Sequence, residues 1–291
     1  MGKKGINKIE PYLFILPTVI LLIFILGIPL VNVVRFSLGK SNIIQGFIEW
    51  NSFGNFQYLV SSKFLKALGV TGIYVAFGVI GTVVFGILVA LSLNKPMPLR
   101  GLFRSIVIIP WIVPDAFAAS MWKWVLNSQY GFINQLLMEL NLISQPISFL
   151  GDGKALWTVI VVRVWKAAPF MIISLIAALQ VIPLDIEEAA DLDGASAIQK
   201  FRYITLPYLK PVLVTTTLIV TAWTFQIFDT VYIMTTGGPA RQTQLVALEI
   251  YNKAFLDYDL GTACAIALVV LLIVGMIGFF KFKRERKVED I

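Results

Sequence analysis

The chain has 291 residues, 58% of them hydrophobic and 14% charged, with a net charge of +7 and a mean hydropathy of +0.82. Soluble domains run about 45–50% apolar and about 25% charged, so this chain has too few charges to coat a water-exposed surface. One cysteine excludes an internal disulfide, and the absence of histidine removes the commonest general base and zinc ligand.

A hydrocarbon core about 30 Å thick needs about 20 mostly apolar helical residues. Six stretches qualify: Tyr12–Val34, Val70–Leu93, Leu102–Trp124, Leu156–Val181, Val212–Met234 and Ala263–Phe282. They predict an all-α membrane protein with six transmembrane helices. The first follows Lys3, Lys4 and Lys8, as a signal peptide would, but its apolar run is too long and no small-residue cleavage site follows. An uncleaved first span is expected. Pro17, Pro29, Pro110, Pro114 and Pro169 lie inside the spans and predict bends, which membranes tolerate where neighbours satisfy the freed carbonyls.

Six spans put both termini on one side. If that side holds the N-terminus, the 94–104 and 182–211 loops and the tail, it carries 14 of the 24 Lys and Arg residues, against 8 in the longer opposite connections. Cytoplasmic N and C termini are therefore expected. The run Lys281–Lys287 reads as a lipid-headgroup anchor abutting a span, so the positive charge reports topology rather than nucleic acid. Arg163 and Lys166, three apart within the fourth span, are expected to share a face and to pair or snorkel.

Chemistry of the chain's own is hard to place. Gly39-Lys40-Ser41 ends like a P-loop, but Val34 stands where the first glycine belongs and no strand precedes it. Cys264, in Thr-Ala-Cys-Ala-Ile, suits a small buried position. No catalytic residue, metal site or cofactor is expected in this chain. A secondary transporter or channel is the alternative from another class, and it would need coupling ions or a filter within one chain.

The loop from Ile182 to Pro207 is the most informative segment. It reads as two short helices: Asp185 can N-cap the first with Glu188 three residues on, and Gly194 supplies a left-handed stop. Ser196 can cap the second, which Pro207 limits. Small residues at 189, 190 and 195 leave a face that another protein could approach closely. Glu188-Ala189-Ala190, Gly194, Ile204 and Leu206-Pro207, at these spacings, resemble the EAA loop of ABC importer permeases. Further stretches resemble sugar-importer permeases of the maltose or glycerol-phosphate first-permease type: Trp50–Phe56, Arg100–Arg104 with Pro110 and Pro114, Thr236–Pro239 with Thr243, then Tyr251 and Ala254-Phe255. The connection at 35–65 is too short for the large extracytoplasmic insertion of the enteric maltose member.

The resemblance implies a type I ABC importer permease fold with a cytoplasmic coupling helix in a cell membrane. Its divisions would be a start, first span and outer connection over 1–66, a five-helix core over 67–282 and a basic tail over 283–291. It also implies a second, homologous permease, two ATPase subunits that hold ATP and Mg, and an extracytoplasmic solute-binding protein. In the family the EAA loop docks on the ATPase, where Glu188 would pair with a basic residue and Gly194 would shape the turn. For the solute pathway, the fifth span offers Trp223, Thr224, Gln226, Asp229, Thr230 and Tyr232, several of which share a helical face.

Overall fold

The computed structural model describes residues 10–289. In chain order the elements are α1 (Glu10–Leu22), α2 (Ile28–Ser37), β1 (Gly39–Asn42), β2 (Gly46–Trp50), α3 (Ser62–Asn94), α4 (Arg100–Ile112), α5 (Asp115–Val125), α6 (Phe132–Glu139) and α7 (Ala155–Leu179). They continue with α8 (Leu184–Leu192), α9 (Ala197–Lys200), α10 (Leu206–Phe225), α11 (Asp229–Thr235), α12 (Val246–Tyr251) and α13 (Leu260–Glu289). Among the described residues, four helical runs are long and apolar enough to cross a membrane: Tyr12–Ser37, Ser62–Asn94, Ala155–Leu179 and Ala197–Phe225. The α4–α5 pair adds a fifth if taken as one span, and Leu260–Met276 is a shorter apolar stretch. The basic start at Lys3, Lys4 and Lys8 lies outside the described residues.

Two of the expected spans are not continuous. The third breaks at Val113-Pro114, and α4 and α5 meet there at a bend of 101°. Pro110 and Pro114 each remove an amide donor, and the residue before a proline is driven to extended backbone, as Val113 is. The fifth ends as a helix at Phe225 and resumes at Asp229, so its polar residues do not share one helical face. Elsewhere proline is absorbed. Five-residue π turns at Ile23–Gly27 and Phe201–Thr205 end two residues before Pro29 and Pro207. Widening the turn carries the chain past the missing donor without a break. Pro207 therefore does not stop the second loop helix, which runs on into α10.

The described residues fall into two compact units, one up to Phe64 together with Glu249 onward, the other Leu65–Leu248. In the first, β1 and β2 form an antiparallel hairpin that the sequence reading did not anticipate. Asn55 ties it down by donating to the carbonyls of Ser37 and Gly39, both at 2.8 Å. Gly261 of α13 lies so close to Gly39 O that a Cβ there would sit 2.6 Å from it. No residue in the apolar window of Tyr12–Ser37 is buried, as suits a helix facing lipid or a partner.

In the second unit α3, α7 and α10 pack around Val79, Ala168, Met171, Leu175, Leu209 and Val220. Lipid is as apolar as leucine, so close approach rather than water exclusion holds such helices together. Gly81 and Gly86 of α3 permit it: a Cβ would fall 2.7 Å from Val164 and 2.4 Å from Met171 of α7.

Candidate functional site

Two sites emerge within the Leu65–Leu248 unit. The first is the exposed loop. α8 buries none of its residues, and Glu188 and Ala189 are exposed while Ala190 is half-buried. Asp185 is not the cap expected for it: Pro183 occupies the N-cap position, and Asp185 lies inside the first turn, where its charge suits the helix N-terminus. The stop matches the expectation. Gly194 has φ +73, its amide donates to Asp191 O at 3.1 Å, and the amide of Ala195 donates to Ala190 O at 3.0 Å. Those two bonds form a Schellman motif.

Ser196 then opens α9 with a full capping box, its Oγ accepting from Gln199 N while its own amide donates to Gln199 Oε1. Lys200 ties the two helices together through Asp191 at 2.6 Å. Leu192 is 90% exposed, and Leu184, Ile198 and Tyr203 are also strongly exposed. Ile204 turns inward against the helical core, whereas Leu206 and Pro207 are exposed.

The second site is a cavity of about 490 Å³. Trp111, Ile112, Val113, Pro114 and Asp115 contribute from the α4–α5 break, and Arg163, Lys166 and Ala167 from α7. Trp223 joins them, with Gln226, Ile227, Phe228 and Asp229 where α10 ends and α11 begins. Of the six pathway candidates, Trp223, Gln226 and Asp229 line this space. Thr224 and Thr230 are buried, Thr224 accepting from Arg163, and Tyr232 stacks on Phe228.

Lys166 holds the wall together. It is 9% exposed, and its Nζ donates to Pro110 O at 2.9 Å and to Val113 O, carbonyls that the end of α4 leaves without helical partners. The same ammonium lies 3.4 Å from Asp115 in the first turn of α5. A cation at one helix end and an anion at the next helix start both complement the dipoles. Lys166 thus pairs, as the sequence suggested.

Arg163 neither pairs nor snorkels. It is 5% exposed, its Nε donates to Thr224 Oγ1 at 3.1 Å, and its Nη2 is buried without a partner. The sequence reading passed over Trp111, Asp115 and Phe228. A Pro-Asp pair inside an apolar run is the signal for a break with a helix start behind it.

Long apolar helices with a span broken beside a polar cavity are features of a membrane permease, and the comparisons agree. Residues 82–285 match the family described as binding-protein-dependent transport system inner membrane component. The chain belongs to that family and is a multi-pass permease subunit of an ABC importer. It is 34% identical to the trehalose/maltose transport system permease protein MalF of Thermococcus litoralis, over 95% of this chain and 94% of the relative. It is 31% identical to the diacetylchitobiose uptake system permease protein DasB of Streptomyces coelicolor, over 94% and 86%. Its fold matches a chain of a bacterial alginate ABC transporter, solved with an alginate pentasaccharide-bound periplasmic protein. The TM-score is 0.83 at 21% identity, covering 98% of both chains.

Proposed function

We propose that this chain moves a sugar or related solute across the cytoplasmic membrane, and that it works as one half of a paired permease. The named relatives that carry a substrate transport trehalose, maltose or diacetylchitobiose, which supports a carbohydrate cargo. In this reading six crossings leave both termini in the cytoplasm, with the broken third and fifth spans and the last apolar helix each counting once. The 185–207 loop carries the coupling helix, which docks on a separate ATPase subunit. ATP and Mg belong to that subunit, so this chain is not itself an enzyme. An extracytoplasmic binding protein delivers the solute, and the cavity beside Trp223, Gln226 and Asp229 lies on its route.

The observation that carries the reading is α8, a helix with no buried residue, stopped by the Gly194 turn, with exposed Leu184 and Leu192 at its two ends and exposed Ile198 in the next helix. Apolar side chains so exposed on a loop ask for a partner. Detergent extracts test it directly. An ATPase subunit should co-purify with the native chain and be lost when Glu188 and Gly194 are both replaced; transport by the chain alone in liposomes without ATP would refute it. For the pathway, Gln226→Ala should alter uptake, and normal uptake with unchanged solute dependence removes Gln226 from the route.

A further inference from the structure

In the unit that runs up to Phe64 and from Glu249 onward, α2 stops where α13 starts, with Gly261 against Gly39 O. The segments at that end are unusually apolar. The hairpin and the turn behind it expose Ile44, Trp50 and Phe53, the first at 80% and the last at 71%. The approach to α13 exposes Phe255, Leu256 and Tyr258. Tyr58 joins the two segments, its hydroxyl donating to Glu249 while Lys253 Nζ lies 4.5 Å from its ring centroid. Apolar and aromatic surface gathered this way at the end of a span marks an interaction face.

We propose that the β1–β2 hairpin and the segment before α13 are seated in the headgroup layer of the bilayer, where lipid covers their exposed apolar side chains. This rests on Tyr12–Ser37 crossing the membrane, and it is independent of how the solute passes. Helix length sets the level. Tyr12–Ser37 has 26 residues, about 39 Å at about 1.5 Å per residue. That exceeds the hydrocarbon core of about 30 Å but not the about 40–45 Å of a bilayer with its headgroups. Such a span delivers the chain into the headgroup layer rather than past it, and the hairpin begins there. Arg35, in the last turn of α2, marks the boundary with a cation that complements the helix end, its guanidinium 4.7 Å from the ring centroid of Phe47. Asp259 marks it at the start of α13, accepting from the amide of Thr262 at 3.0 Å. Trp and Tyr, with an apolar body and a polar tip, are the side chains that favour this layer. The hairpin's two charges, Lys40 and Glu49, neutralise each other at 2.6 Å, so nothing on it steers a charged protein.

The test is fluorescence quenching on the full chain, purified in nanodiscs with the subunits that accompany it. Cys264, which is buried, is replaced by alanine, and a bimane label is placed in turn at Ile44→Cys, Phe53→Cys and, in mid-span, Phe24→Cys. The quenchers are lipids carrying a nitroxide on the headgroup, lipids carrying one deep in the acyl chain, and iodide in the water. Labels at 44 and 53 should be quenched most by the headgroup nitroxide and least by iodide, at a depth of about 15–20 Å from the bilayer centre. The label at 24 should answer most to the deep nitroxide. Iodide dominating at 44 and 53 overturns the proposal, and so does shielding from iodide that arises only when an extracytoplasmic binding protein is added. If the label at 24 is deep while the other two are in water, the crossing stands and only this inference fails. If the label at 24 is not deep, the crossing by Tyr12–Ser37 fails with it. Should a cysteine variant fail to fold, the unaltered complex decides. A lipid with a photoreactive headgroup should then form adducts within residues 43–60, and adducts confined to other segments overturn the proposal.

Discussion

Replacing Gly194 with alanine separates the shape of the 185–207 loop from its chemistry. Gly194 sits at φ +73, and a Cβ built there meets nothing within 4 Å, so the substitution adds no clash. What it adds is left-handed strain, about 1–2 kcal/mol for an L-residue with a side chain. That is a factor of about 5–30 in the population of the Schellman turn, enough to loosen the junction of α8 and α9 but not to unfold the helical core. The assay is co-purification of the ATPase subunit together with solute-stimulated ATP hydrolysis, both normalised to folded permease. Gly194→Ala should lower both. Gly194→Asn, whose side chain tolerates the left-handed region, should restore most of the loss. Equal behaviour of the alanine and asparagine variants would refute the backbone argument, because both add a Cβ to open space and differ in tolerance of that φ.

Lys166→Met removes the buried donor to Pro110 O and Val113 O and the cation beside the half-exposed Asp115; leaving buried carbonyls unmade costs about 1–3 kcal/mol each, so thermal stability in detergent should fall. Adding Asp115→Asn to it should recover part of that loss. Gly86→Ala should destabilise by about 1–3 kcal/mol because its Cβ would fall 2.4 Å from Met171 Cγ, whereas Gly275→Ala, with nothing within 4 Å, should not, as chemical denaturation would report. Lys40 donates to Glu49 at 2.6 Å and holds that exposed carboxyl below the usual glutamate range. A lowered folded value means that the pair's contribution is present above the unfolded pKa and fades as pH falls through the folded one. Lys40→Ala should therefore change stability slightly at neutral pH and not at strongly acid pH, a difference that melting curves across that range would reveal.

How much of this was legible in the sequence depended on whether a residue acts locally. Gly194 and Ser196 work through their own backbone neighbourhoods, and both take the conformations that their types dictate. The long apolar runs likewise follow from composition. Prolines were harder, since the same missing donor gives a 101° break at Val113-Pro114 and an uninterrupted helix through Pro207. The outcome turns on whether a distant donor such as Lys166 reaches the freed carbonyls or a π turn rearranges the bonds nearby, and neither follows from spacing along the chain. The cap assigned to Asp185 failed for a related reason: Pro183 fixed the helix start two residues earlier. The hairpin escaped notice because its strands are only four and five residues long, although Asn42 and Gly46 at its turn were visible clues.

The π turn at Phe201–Thr205 has a consequence for how the loop before it is oriented about α10. An α-helix advances about 100° per residue, so one extra residue in a turn is an angular offset as well as a detour. The side of α9 that faces outward is therefore set by that offset, and a helical wheel drawn through it would put the loop on the wrong azimuth. Deleting one residue within Phe201–Thr205 would close the wide turn to an α turn and leave its flanks in phase, whereas deleting one from the regular part of α10 would swing everything before it by about 100° around the helix axis. The turn thus acts as a phase key, setting the azimuth of the exposed loop relative to α10.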